Sequence, residues 1–101
     1  MNHGALDMAH VKIKLTKVGQ PRDYIIRVDD DGSGKRTELG FENDEWEGNL
    51  PAGERVLDVF VSGEKGEGLR FEVSVNNQPR SVPSIIIPVR PNVRITRTLD
   101  V

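Results

Sequence analysis

The chain has no cysteine. Disulfides, thiolate metal sites and cysteine nucleophiles are therefore excluded, while the compartment is left open. Long apolar runs are also missing. The longest, "SIIIPV", contains a proline and falls far short of the roughly 20 residues that cross a bilayer as a helix, so no membrane insertion is expected. Aromatic residues are scarce, with three Phe, one Tyr and one Trp in 101 residues, so any core must be mainly aliphatic. Helical periodicity is absent; at most residues 42–49 could hold a single turn. The opening stretch "MNHGALDMAH" lacks a basic region followed by an apolar one, so no signal peptide is read there. Residues 1–8 read as a flexible leader and residues 9–101 as a single domain.

What the chain does have is period two. "HVKIKLTKV" sets Val11, Ile13 and Leu15 on one face and Lys12, Lys14 and Thr16 on the other. "LRFEVSV" repeats the pattern with Leu69, Phe71, Val73 and Val75 inward. "DYIIRV", "RTELGF" and "RVLDVFV" follow the same rule, the last with Val56 and Phe60 flanking Asp58 on its second face. "SIIIPVR" and "NVRITRTL" complete a set of about seven strands. Gly, Pro, Asn and Asp punctuate the runs at short intervals. This pattern predicts an all-β fold, an antiparallel β-sandwich of Ig-like or similar type, with a small β-barrel as the alternative. The segment "LPAGERVLDVFVSGE" resembles the turn and following strand of many Ig-like sandwich modules. That resemblance bears on fold and implies nothing about function.

Charge is unevenly distributed. Residues 1–28 sum to +3, residues 29–67 to −8 and residues 68–101 to +3, giving the net −2. Strands of opposite sign are expected to pair within one molecule, or else to meet an oppositely charged partner. The basic ends are too weakly charged to indicate nucleic acid.

Two acidic stretches invite a chemical reading. "VDDDGSGKRTE" resembles a calcium loop in composition only. A register starting at Arg27 puts a cation where the first ligand belongs. One starting at Asp29 puts Gly40 where a bidentate carboxylate is needed. A plain hairpin loop is expected, and no metal or cofactor. "ENDEWEGNLPAG" reads as a loop carrying the only tryptophan among acids. Strand parity then gathers loops 19–22, 42–53 and 76–80 at one end of the sandwich. Trp46, Asp44, Glu45 and Asn77 become a candidate ligand set, apt for carbohydrate.

The prolines at 79, 83, 88 and 91 mark residues 79–91 as an edge strand or crossing segment. Ile85, Ile86 and Ile87 place apolar side chains on both its faces, and an apolar edge invites pairing. Arg90 and Arg94 lie just beyond, available to a neighbour's acids. Neither histidine, His3 or His10, stands near a serine in an ordered segment, and "GSGK" lacks the rest of a phosphate loop. The expectation is a non-enzymatic module for protein interaction or self-assembly through Ile85, Ile86, Ile87, Arg90 and Arg94. Carbohydrate binding by the loop end around Trp46, with or without calcium assistance, is the alternative.

Overall fold

A computed structural model describes residues 7–29 and 35–101, and among them it shows nine strands and no helix. They are β1 (Met8–Val18), β2 (Asp23–Asp29), β3 (Arg36–Glu38), β4 (Glu45–Pro51), β5 (Glu54–Ser62), β6 (Gly68–Val75), β7 (Gln78–Arg80), β8 (Ile85–Ile86) and β9 (Asn92–Asp100). All pairings are antiparallel. One sheet has the order β4-β1-β6-β7, with β8 also on β6; the other runs β3-β2-β5-β9. The strands thus form two packed sheets, a β-sandwich, and not a single closed barrel.

Inward rows follow the alternation of the sequence. Val11, Ile13 and Leu15 of β1, Ile26 and Val28 of β2, Leu57, Val59 and Val61 of β5, and Val73 and Val75 of β6 are all buried. Phe71, expected in the core, points the same way but is only half-buried and packs against the cluster from its margin. The residues in register across the first sheet carry opposite charges on its outer face. Lys12 faces Glu47, and Lys14 stands between Glu45 and Glu72. The acidic middle of the chain and its basic ends therefore meet inside one molecule.

Three strands, β1, β3 and β4, differ from expectation. β3 ends at Glu38, short of the expected run to Phe41, although Leu39 N–H still donates to Ile26 O at 2.9 Å as its side chain enters the core. Residues 42–53, read as a loop, contain β4. A two-residue turn starts it: Asn43 and Asp44 both have positive φ, and Glu42 and Glu45 exchange backbone hydrogen bonds of 2.9 and 3.0 Å. That is a type I′ turn, whose twist matches an antiparallel hairpin. Asn76 and Asn77 form the equivalent turn between β6 and β7. Met8, assigned to the leader, pairs with Pro51 as the first residue of β1, and Asp7 O accepts from Ala52 N. Residues 1–6 of that leader, and Asp30, Asp31 and Gly32–Gly34 of the aspartate loop, lie outside the described residues.

The late proline-rich segment runs along the edge of the first sheet, as expected. β7 pairs with Val73–Val75 at one end of β6, and β8 with Gly68 and Leu69 at the other. Arginines clip this strap to the opposite sheet. Arg97 donates to Pro83 O at 3.2 Å and Ser84 O at 3.1 Å, and Arg80 Nε donates to Asp100 O at 3.1 Å. The approach of β8 to β6 is close. A Cβ built on Gly68 would lie 1.9 Å from Ile85 O, which is backbone and cannot rotate away. Gly68→Ala should therefore lower stability by about 1–3 kcal/mol, the range for overpacking. Gly40→Ala, where a Cβ meets nothing within 4 Å, should stay within about 0.5 kcal/mol of wild type. Urea denaturation midpoints of the two variants check the difference.

Candidate functional site

Three places on this scaffold combine exposed chemistry with fixed geometry: the β8 corner, the outer face around Asp58, and the β4 edge.

At the β8 corner, Ile85 and Ile87 are buried in the core while Ile86 between them is 44% exposed. This is the alternation expected of an extended chain, and it holds Ile86 outward from two anchored neighbours. Ile86 shares a cross-strand row with Gly68 and Val18, and Gly68 adds no side chain between them. Val89, 69% exposed, follows three residues on. The corner is braced from behind by Glu67. Its carboxylate accepts from Glu64 N at 2.7 Å and Gln20 N at 2.9 Å. These two backbone donors hold its pKa below the usual carboxylate range.

The arginines assigned to this corner are arranged differently. Arg90 Nε sits 3.3 Å from Glu64 in an exposed pair at the rim. Arg94 lies on the outer face of the second sheet, where its guanidinium grips Asp58 through two bonds of 3.1 and 2.7 Å. Its register partner on β5 is Phe60, and Asp58 lies one diagonal step away. The reason is local: Asp58 is 5% exposed between Val56 and Phe60, and a buried carboxylate needs a charged donor. The hydrogen bond from Arg94 lowers the Asp58 pKa, outweighing desolvation, with the charges of Arg36 and Arg27 adding to it. Arg94 is thus a structural clasp for Asp58, although its side chain stays 67% exposed.

At the β4 edge, Trp46 is in a strand and not on a loop. It shares the inward face with Ile13 and packs against the core margin, half-buried. Its ring lies over Gly48, where an added Cβ would come within 2.6 Å of Cζ2. Trp46, Glu45 and Asn77 do line a common groove, together with Lys12, Glu47 and Glu72. Asp44 is engaged elsewhere, accepting from the Tyr24 hydroxyl at 2.8 Å. Burial, and then that hydrogen bond, raise the Tyr24 pKa. The wider gathering expected from strand parity does not form. With β4 counted as a strand, loop 19–22 falls at one end of the sandwich, near residues 63–67, because Arg22 N donates to Ser62 O. The Asn76 turn falls at the other end, where Asn76 N donates to His10 O near the start of β1. His10 Nε2 lies 2.6 Å from Glu47. Among the described residues, no group of three or more His, Asp or Glu side chains is placed to hold a metal ion.

No protein-family model, curated protein or solved structure matches this chain.

Two expected outcomes follow from the geometry. Gly48→Ala should displace the Trp46 ring and red-shift its emission, which is unambiguous with one tryptophan in the chain. Arg94→Ala leaves Asp58 buried without its donor. Because the folded-state pKa of Asp58 is lowered, the clasp stabilises the fold above the ordinary carboxylate pKa, and that stability is lost as pH falls through the folded value. The Tm gap between wild type and Arg94→Ala should therefore be widest near pH 7 and narrow below about pH 4, the ordinary carboxylate value. A gap independent of pH would mean that Arg94 acts only by packing.

Proposed function

We propose that the chain is a non-enzymatic protein-interaction or assembly module that uses the β8 corner of its sandwich. The observation that carries this reading is the exposure of Ile86 and Val89 on a segment whose neighbours Ile85 and Ile87 are locked in the core. Single exposed apolar residues are ordinary on a protein surface. Here Ile86 is held outward by two buried neighbours beside Gly68, which adds no side chain, with Val89 three residues on and an ion pair, Arg90–Glu64, at the rim. An apolar centre with a charged rim is the usual anatomy of a contact surface. Pro88 interrupts the edge, so docking rests on side chains and not on extending the strand. The preferred partner is a second copy or a protein with a small apolar pocket.

The carbohydrate reading has less support. Trp46, Glu45 and Asn77 share a groove, but the indole turns toward the core and not outward as a stacking face. Titration of Trp46 fluorescence with simple sugars tests it directly.

For the leading reading, sedimentation of the wild type at high micromolar concentration should show dimers or larger species. Ile86→Lys should give a folded monomer, since that side chain is exposed and the charge costs the fold little. A monomeric wild type would rule out self-assembly and leave a heterologous partner.

A further inference from the structure

We infer that the free edge of β4 is a docking site for an extended basic segment of another protein, added as a short antiparallel strand with a Lys or Arg opposite Glu47. This surface is on the far side of the first sheet from the β8 corner, and it stands independently of that reading.

The four sheet edges are not equivalent. β3 is three residues long. The β7–β8 edge is broken by Pro79 and Pro83, and the chain kinks away at Pro88. β9 is longer, nine residues with β5 as its strand partner, but its edge carbonyls at Asp100 and Thr96 are taken by Arg80 and Arg97, and the exposed Arg94 makes this edge basic. β4 has seven residues with no proline before Pro51, and among the described residues its one strand partner is β1. Long, straight edges without a proline, a lysine or a cover are the ones that accept another strand.

The direction of its backbone groups can be worked out. Asp44 O accepts from Leu15 N, so even-numbered residues here turn toward β1. Glu45 turns the other way, exchanging both its bonds with Glu42. The alternation of antiparallel ladders then turns the N–H and C=O of Glu47 and Asn49 outward as well. Glu42 already occupies the place where a neighbouring strand would begin. An added segment continues that line past Glu47 and Asn49, which offer four backbone groups.

Side chains select the segment. Cross-strand partners share a face, so Glu42, Glu45 and Glu47 all stand on the outer side. A residue added opposite Glu47 falls directly beside it, with Glu42 next along its own line and Glu45 on the diagonal. The acids lie about 5–8 Å away, whereas Lys12 and Lys14 on β1 are two strand spacings off, about 10 Å. That is near the Debye length at 0.1 M salt, so attraction to the acids exceeds repulsion from the lysines. One Glu47 oxygen contacts His10 and the other remains for the partner. A second copy of β4 does not fit. In the two-fold register centred on Gly48, its Pro51 would fall on Glu42. Centred on Asn49, Pro51 would have to donate a hydrogen bond to Glu47, and it has no N–H.

The test uses the folded chain and three capped seven-residue peptides. One alternates Lys and Thr, one alternates Glu and Thr, and one is the Lys peptide with its lysine amides N-methylated. Trp46 fluorescence and amide hydrogen exchange give the readouts. The Lys peptide should bind, protect the amides of Glu47 and Asn49, and weaken with added salt. The Glu peptide should not bind. N-methylation removes the donors that face β4 without changing charge, so it should abolish protection and most of the affinity. Glu42→Gln should weaken the Lys peptide by up to about fivefold, the value of one exposed ion pair. Ile86→Lys should leave binding unchanged. Failure of the Lys peptide to bind, equal binding of the N-methylated peptide, or protection elsewhere than β4 would each overturn the proposal.

Discussion

The arrangement of one whole side of this protein depends on the absence of a side chain at Gly68. Because no Cβ stands there, Ile85 O settles against β6 at a distance that no other residue would allow. That contact sets the rest in sequence. Ile85 and Ile87 enter the core, so Ile86 must face out. The strap before them is brought within reach of β9, where Arg97 and Arg80 satisfy its carbonyls and that of Asp100. The sandwich is thereby closed along β7, β8 and β9.

The opposite side is closed by a different device. There the chain crosses between sheets at residues 39–44. Leu39 fills the gap, Phe41 meets Tyr24 edge to face at 5.8 Å, and the Tyr24 hydroxyl binds Asp44. The type I′ turn then feeds β4 along the margin of the first sheet. This closure covers the core but not the strand edge, since among the described residues nothing beyond Glu42 continues the ladder. The two sides thus differ in kind: one is a proline-interrupted edge with an apolar corner, the other an unpaired edge lined with acids.

Much of the fold was legible because burial on one face enforces period two, and β1, β2, β5, β6 and β9 all obey it. The missing strand, β4, obeys it as well: Trp46 and Leu50 face in, while Glu45, Glu47 and Asn49 face out. Gly48 hid the pattern by standing where an apolar residue was due. It is glycine because the Trp46 ring occupies the space of its side chain. Asn43-Asp44 is also a weaker turn signal than a pair containing glycine, although both residues tolerate positive φ. Missing one strand reversed the parity of every later loop, so Arg22 and Asn76 were assigned to one end when they lie at two. The Arg94–Asp58 clasp was illegible for another reason. Which arginine reaches a buried carboxylate depends on register between strands 36 residues apart in the chain, and no local pattern carries that.

The charge asymmetry along the chain acquires its meaning only in this geometry. The acidic middle serves three separate tasks: Asp58 takes Arg94, Glu67 binds loop amides, and Glu45 and Glu47 face the lysines of β1. The first two are complete in themselves, since each carboxylate oxygen has a donor. The third is not. Across the first sheet one row alternates in sign from Glu72 through Lys14 to Glu45, where Glu42 adds a second acid, and the next runs from Lys12 to Glu47 and stops on acid at the edge. A row that ends on one sign at an unpaired strand is satisfied equally by water or by a strand of the other sign. Water satisfies the backbone groups of Glu47 and Asn49 as it does the acids, but an added strand of the other sign replaces it at both, and that coincidence of side-chain charge with an open ladder edge is what separates this margin from an ordinary solvated face.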